Sequence, residues 1–467
     1  MSNTNLSKKT LAVLLAAAMV LPAAACSPQG TASTAPNPDA SDASEASSAS
    51  EEETPQEPVT LSMMWMGGDT ANEMFVPMLQ AWNEENPLIQ ITGELYDTDS
   101  EEKIRMTLAS GTAPDILMLG HGWVPGIVAA GDYLCDFNEQ DILDLSGFDE
   151  AAMKDFGEYD GKQVALPASY ATITLCANLT DCERLGVEIE DDLTIDELYE
   201  KGRALHEAHP EAYLYIVHEV EVWELFQMLL KQEVGGSLFN EDYTVNFTQD
   251  QLEKIYNVIL EGYESGTFQP LAEAVASSPD GACLLNANWV SGNGLMVSNA
   301  SGGIIYSISF VENNEQKEFG MFTLPKLTED NTFGNGVLTC EKMWAVSSAS
   351  QHQDQAFTFL DYLVNSTEAV DFLQGETLGG VYATKTQFEY AAENGFSNPY
   401  ITEAYEKVIS RAQPVSNAIS VNTDLVTILQ DELMKVCYLS LSPADAAAET
   451  MPLLESKLQQ LQSEANA

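Results

Sequence analysis

Two short stretches carry the residue types from which a small-molecule site is built. Trp65-Met66-Gly67-Gly68-Asp69 and Gly120-His121-Gly122-Trp123 each place glycines, an aromatic ring and a polar side chain directly after an apolar run. Glycine lets backbone amides approach a ligand closely, and helix starts just beyond offer unpaired N–H donors. An aromatic face beside Asp, Asn or Glu acceptors suits a molecule with a C–H face and a ring of hydroxyls. Later in the chain Tyr170, Trp289, Asn299, Trp344 and Tyr382 supply the same residue types. Each of these aromatics fits a core position equally well, and Asp69 fits a helix N-cap. Binding without a covalent step needs only these parts.

Covalent chemistry has less support. No Gly-x-Ser-x-Gly elbow, phosphate-binding loop, Gly-x-Gly-x-x-Gly or His-Glu-x-x-His occurs. Paired carboxylates, the requirement for glycoside hydrolysis, mean little in a chain with 72 acids. His206 and His209, with His218 nearby, have spacing compatible with a metal site or with a polar helix end. No EF-hand-like calcium loop is present. The expectation is no catalytic residue, no metal and no cofactor.

These stretches must be positioned by elements, and from Val59 the sequence alternates strand and helix. Val59–Trp65, Leu88–Leu95 and Asp115–Leu119 read as strands, separated by helices over Asn72–Asn86 and Glu101–Ala109. Two successive βαβ units imply a parallel sheet covered by helices, with a ligand site at the carboxyl ends of its strands. Gly161–Leu166, Thr172–Ala177, Tyr213–Val217, Gly294–Asn299, Ile304–Phe310 and Val337–Val346 are further strand candidates. Thr194 with Glu197 three places later opens a helix to His206 as a capping box. Glu221–Lys231 and Gln251–Ser265 read as helices, and the pattern is helical towards the end, over Asp354–Leu363, Leu425–Leu439 and Pro443–Leu461.

The chain has 467 residues, with 19 Lys+Arg against 72 Asp+Glu and a net charge of −53. That balance repels phosphate backbones and excludes a nucleic-acid binder. A 45% hydrophobic content still provides a core, and the length suggests two lobes or domains. The first 25 residues contain no acid: Lys8-Lys9 precede an apolar run, Leu11–Leu21, and the small residues Ala23-Ala24-Ala25 before Cys26. This reads as a secretory leader, too short to span a membrane. Residues 27–58 have no Lys or Arg, seven acids and almost nothing to bury, as in an extended linker. The other cysteines, Cys135, Cys176, Cys182, Cys283, Cys340 and Cys437, form no CxxC pair and read mostly as buried thiols, although a Cys176–Cys182 bridge is conceivable.

Cys26 after small residues resembles the bacterial lipobox, in which a diacylglyceryl cysteine becomes the mature N-terminus; the alternative is ordinary cleavage after Ala25. Three further stretches resemble the family 1 extracellular solute-binding proteins of ABC sugar importers. They are Trp82-Asn83-Glu84-Glu85-Asn86-Pro87 before a strand, Ala109-Ser110-Gly111-Thr112-Ala113-Pro114-Asp115-Ile116, and Asp160-Gly161-Lys162 through Leu166-Pro167. Gly294-Leu295-Met296, Gln355–Leu360 and Ser442–Ala446 echo later family segments. Two departures stand out: Ser298-Asn299-Ala300 where the family often has Gly-x-Trp, and Ala383 after Tyr382 where it often has Pro.

The resemblance implies an α/β, two-lobed periplasmic-binding-protein-like fold of type II, each lobe a mixed sheet flanked by helices, with a helical C-terminal part. The implied division is a leader (1–25), a lipidated Cys26 with an acidic linker (26–58), first lobe (59–168), second lobe (169–290), a return to the first (291–350), and second lobe with C-terminal helices (351–467). It implies a non-enzymatic, lipid-anchored protein on the outer face of the cell membrane, which carries a solute, usually a carbohydrate, to permease subunits. The candidate ligand residues are Trp65, Gly68, Asp69, His121, Trp123, Tyr170, Trp289, Asn299, Trp344 and Tyr382. The competing readings are a ligand sensor of the same fold, a surface glycosidase and a calcium-loaded surface protein.

Overall fold

The computed structural model describes residues 57–465 apart from 97–99, 280, 375–379, 414–416 and 418. Cys26, the leader and nearly all of the linker lie outside the described residues.

The strands in chain order are β1 (Val59–Met66), β2 (Ile89–Tyr96), β3 (Ile116–Gly120), β4 (Glu158–Tyr159), β5 (Lys162–Gln163), β6 (Leu166–Pro167), β7 (Ser169–Asn178), β8 (Tyr213–Ile216), β9 (Gly294–Ala300), β10 (Phe319–Phe322), β11 (Val337–Thr339), β12 (Lys342–Val346) and β13 (Val381–Tyr382). They form two main sheets, ordered β2-β1-β3-β12-β6 and β10-β7-β9-β8, with β11 and β13 also pairing with β7. The expected βαβ units are present as parallel β1–β2 and β1–β3 pairs. Strand β12 enters antiparallel to β3, which makes the first sheet mixed.

Local chemistry explains why two of the three motif stretches, and the Thr194 helix start, fold as they do. Asn83, on the helix Asp69–Glu85, accepts from the Ile91 backbone N–H at 2.7 Å and donates to its carbonyl at 2.8 Å, while Trp82 Nε1 donates to the Ile89 carbonyl at 2.9 Å. The helix end is thereby fastened to β2. Asp160 and Gly161 both have positive φ, +51° and +77°, as a two-residue primed turn between β4 and β5 requires. Thr194 and Glu197 form the expected capping box.

Three expected strands are corrected. Gly161–Leu166 is not one strand: it holds the two-residue β5 and the start of β6, which lie in different sheets. Ile304–Phe310 lies in a helix, Ser301–Phe310. A strand would alternate burial, whereas Ile304 and Ser307, three apart, point inward and Tyr306 and Phe310 are exposed. Val337–Val346 is not one strand but two, β11 in the second sheet and β12 in the first, broken at Cys340-Glu341 where the chain passes between sheets. Sheet membership also differs from the division expected after residue 290. Strands β9, β10 and β11 belong to the second sheet, and the helices Gln353–Asn365 and Thr367–Leu373 pack in the core of the first. The later helices Pro399–Ile409, Thr423–Cys437 and Pro443–Ala465 pack beside the second sheet. Hydropathy marks these helices as amphipathic but does not say which apolar face they cover.

All six described cysteines are buried free thiols, Cys176 and Cys182 included.

Candidate functional site

The strand directions place two sets of loops opposite one another. Strands β1 and β3 are parallel, and β6 runs the same way, because both β3 and β6 are antiparallel to β12. Their carboxyl ends carry Gly67–Asp69, Gly120–Trp123 and Ala168. The chain leaves this end at Ala168 to begin β7 and returns from β11 through Cys340-Glu341, so it is the end turned towards the second sheet. In that sheet β9 is antiparallel to β7, and β8 is parallel to β9. The carboxyl ends of β8 and β9, followed by Val217–Glu219 and Ser301–Gly302, therefore lie at the crossing end too.

On the first side Gly68 is the N-cap of the helix Asp69–Glu85, and Asp69 is its exposed first residue rather than the cap. An acid there interacts favourably with the helix dipole. His121 is half-buried, edge-on to Phe156 with ring centroids 5.2 Å apart, and burial pushes its pKa down. A neutral imidazole offers one donor and one acceptor near pH 7. Trp123 is half-buried with its indole against Gly120, where an added Cβ would stand 3.0 Å from the ring.

Five of the ten expected residues are interior and offer no open face. Trp65 is 1% exposed, stacked on Phe75 at 5.1 Å, with Nε1 donating to Asn72 at 3.2 Å; Phe75 in turn meets Trp344 edge-on at 6.0 Å. Trp289 is buried beside Phe319, and Tyr382 is buried where β13 pairs with Ser169. Tyr170 is buried between Phe156 and Tyr405, stacked on the latter at 6.3 Å with 9° between planes, and its hydroxyl has no hydrogen-bond partner among the described residues. Large rings near sheet ends gain most by turning into the helix layers, and this decided all five.

The second side is organised around a carboxylate that the sequence reading passed over. Glu221 is buried; it accepts from Asn299 Nδ2 at 3.0 Å, from the His218 N–H at 3.1 Å and from the Cys283 N–H at 3.4 Å. Half-buried Asn299 also accepts from the Ala300 N–H at 2.9 Å. Glu221 stands three residues after His218, the N-cap of the helix Glu219–Val234. The usual Ser, Thr, Asp or Asn signal is missing there, which is why the pattern did not register. Tyr438, also missed, donates its hydroxyl to Glu219 at 2.8 Å.

Gly68, Asp69, His121, Trp123 and Asn299 are thus the expected residues at the facing edges. Together with Glu219 they present one aromatic face, acceptors and donors at the crossing ends of the two sheets. A cavity of about 540 Å³ lies beside the crossing, between Gly302 and Ile305 on one side and Val381, Phe396 and Ile401 on the other. A larger one, about 620 Å³, lies between the helices Glu101–Ser110 and Val124–Ala130 and includes none of the ten residues. Among the described residues no group of three or more His, Cys, Asp or Glu is arranged to hold a metal ion. His206 instead contacts the Ala212 carbonyl at 3.0 Å and stacks on Tyr213.

Residues 68–370 match the family model described as bacterial extracellular solute-binding protein. Similar solved structures include a periplasmic solute-binding protein from Pectobacterium atrosepticum, 18% identical, covering 86% of this chain and 99% of that one with a TM-score of 0.72. A periplasmic oligogalacturonide-binding protein from Yersinia enterocolitica is 17% identical, with 86% and 100% covered and a TM-score of 0.74. A cyclic alpha-maltosyl-1,6-maltose-binding protein from Arthrobacter globiformis is 20% identical, with 86% and 100% covered and a TM-score of 0.68. At these identities the likeness is one of fold, and it is the two-lobed α/β architecture expected from the sequence.

Proposed function

Because the chain belongs to the bacterial extracellular solute-binding protein family, we propose that it captures a carbohydrate, a sugar or oligosaccharide, between its lobes and delivers it to the permease subunits of an ABC transporter. The observation that carries this reading is the pairing of edges: Asp69, His121 and Trp123 on one, His218–Glu219 and Asn299 on the other, joined by the crossings at Ala168 and Cys340-Glu341. Acceptors and a ring face at opposed strand ends suit hydroxyl-rich ligands. The oligogalacturonide- and maltosyl-maltose-binding proteins, similar in fold, add weight to the carbohydrate class. Closure about the crossings would trap the ligand, and differential affinity for the closed form would drive it.

The family implies an extracytoplasmic location, and among the described residues no helix is long and apolar enough to cross a membrane. A lipid on Cys26 would supply the attachment, at about 0.8 kcal/mol per buried methylene. Isothermal titration against oligosaccharides, amino acids and polyols tests the ligand class; silence from every carbohydrate sinks it. Membrane fractionation of Cys26→Ala tests the anchor, which fails if the variant stays with the membrane as wild type does.

A further inference from the structure

Tyr438 is 40% exposed, Leu439 70% and Val220 48%. One contact relates them: Tyr438 is hydrogen-bonded to Glu219, and Val220 and Leu439 are the chain neighbours of these two residues. The place is the end of the helix Thr423–Cys437 against the start of Glu219–Val234, at the carboxyl end of β8 and so on the crossing end of the second sheet. Strand β8 is the outermost strand of that sheet, two strands away from β7, which carries the crossing.

Leu439 is also unusual in its backbone, with φ of +58°. Glycine or asparagine ends a helix this way at little cost, whereas a bulky residue is strained and here buries almost nothing in return. Neither helix termination nor the core accounts for a leucine at this position. Tyr438 is similarly placed for contact: its hydroxyl is fixed by Glu219, its ring is partly open, and the neighbouring carboxylate retains acceptor capacity for hydroxyls.

We infer that this apolar rim is an outlying subsite on which a distal sugar ring packs against Tyr438 and Leu439 while Glu219 accepts from its hydroxyls, so that the ligand is an oligosaccharide running outward along the cleft from β7 towards β8. The inference rests on the carbohydrate reading of the cleft and adds ligand length to it. The occupant follows from three features: a place at the crossing end of β8, an aromatic face beside a carboxylate, and a position two strands out from β7, about 10 Å at the usual strand spacing and more than one sugar ring spans.

The test uses the full chain and isothermal titration with di- to hexasaccharides of α-glucan, β-glucan, xylan and galacturonan. Wild type should bind longer members of one series more tightly. Tyr438→Ala should lose about tenfold in affinity for the longest member while the disaccharide changes less than about twofold. Leu439→Gly should melt higher, because the strain is relieved, yet also bind the long member more weakly. An equal loss at every length, or none, overturns the subsite while leaving the carbohydrate reading intact; no binding of any glycan by wild type overturns both. Unchanged glycan affinity in Tyr438→Ala, with reduced uptake into vesicles bearing the transporter, would make the rim a transporter contact and also overturn the subsite.

Discussion

Asp115 and Ser350, 235 positions apart, meet through a 2.6 Å hydrogen bond from the serine hydroxyl to the carboxylate. The same carboxylate accepts from the Ser62 N–H at 2.8 Å and from its hydroxyl at 2.7 Å. One side chain thereby ties β1, the start of β3 and the segment after β12. The aspartate of the Ala109–Ile116 motif, its most family-specific signal, is an architectural residue rather than a ligand contact.

Asp115→Ala should destabilise the protein by about 2 kcal/mol, from the loss of charge-assisted hydrogen bonds. Burial raises the Asp115 pKa, but hydrogen bonds from Ser350 and Ser62 outweigh this and hold it below the usual value. The stabilisation is therefore present above the unfolded carboxylate's pKa and fades as pH falls through the lower folded value. Denaturant melts of both proteins from pH 7 to pH 2 should converge at the acid end; a constant gap would refute the assignment.

Tyr170→Phe should leave stability unchanged or raise it by up to about 1 kcal/mol, because the hydroxyl removed is buried and has no partner among the described residues. The rings on either side, Phe156 and Tyr405, keep their contacts. Urea unfolding is sufficient as a check. A clear loss of stability would mean that the hydroxyl has a partner.

Asp69→Ala should separate binding from stability. The side chain is exposed and caps nothing, so the stability change should stay below about 1 kcal/mol, the scale of a helix-dipole contact. Loss of a carboxylate acceptor should weaken carbohydrate binding about tenfold or more. Unaltered affinity in titration calorimetry would remove Asp69 from the site.

Glu224 should make stability slope with pH. Burial, with Glu221 adding to it and Lys231 opposing, pushes its pKa up to about 7. Between the unfolded carboxylate value and about 7 the folded state holds the extra proton, so this group's contribution falls as pH rises across that window and levels off above it. In Glu224→Gln that slope should vanish, and thermal melts from pH 4 to pH 8 would show it; identical slopes in the two proteins would count against the raised value.

Much of the architecture was legible without coordinates. Strand–helix alternation from Val59 gave the βαβ units, the Asn83-to-Pro87 and Asp160-Gly161 stretches marked real fastenings, and Thr194 with Glu197 marked a real cap. Of the candidate residues, Gly68, Asp69, His121, Trp123 and Asn299 lie at the crossing ends of the strands, whereas Trp65, Tyr170, Trp289, Trp344 and Tyr382 went to the core. Residue type does not distinguish these outcomes, because an indole buries equally well against a ligand or a helix.

The sequence by itself determined the periodicities, turns and caps, which depend on neighbours within a few positions, and its charge argues against nucleic acid as a partner. Only the tertiary structure decided that Val337–Val346 divides between two sheets, that Ile304–Phe310 coils into a helix, and that Glu221 meets Asn299. Those outcomes depend on which apolar faces and polar groups meet across long stretches of chain. Local pattern carries no record of that pairing.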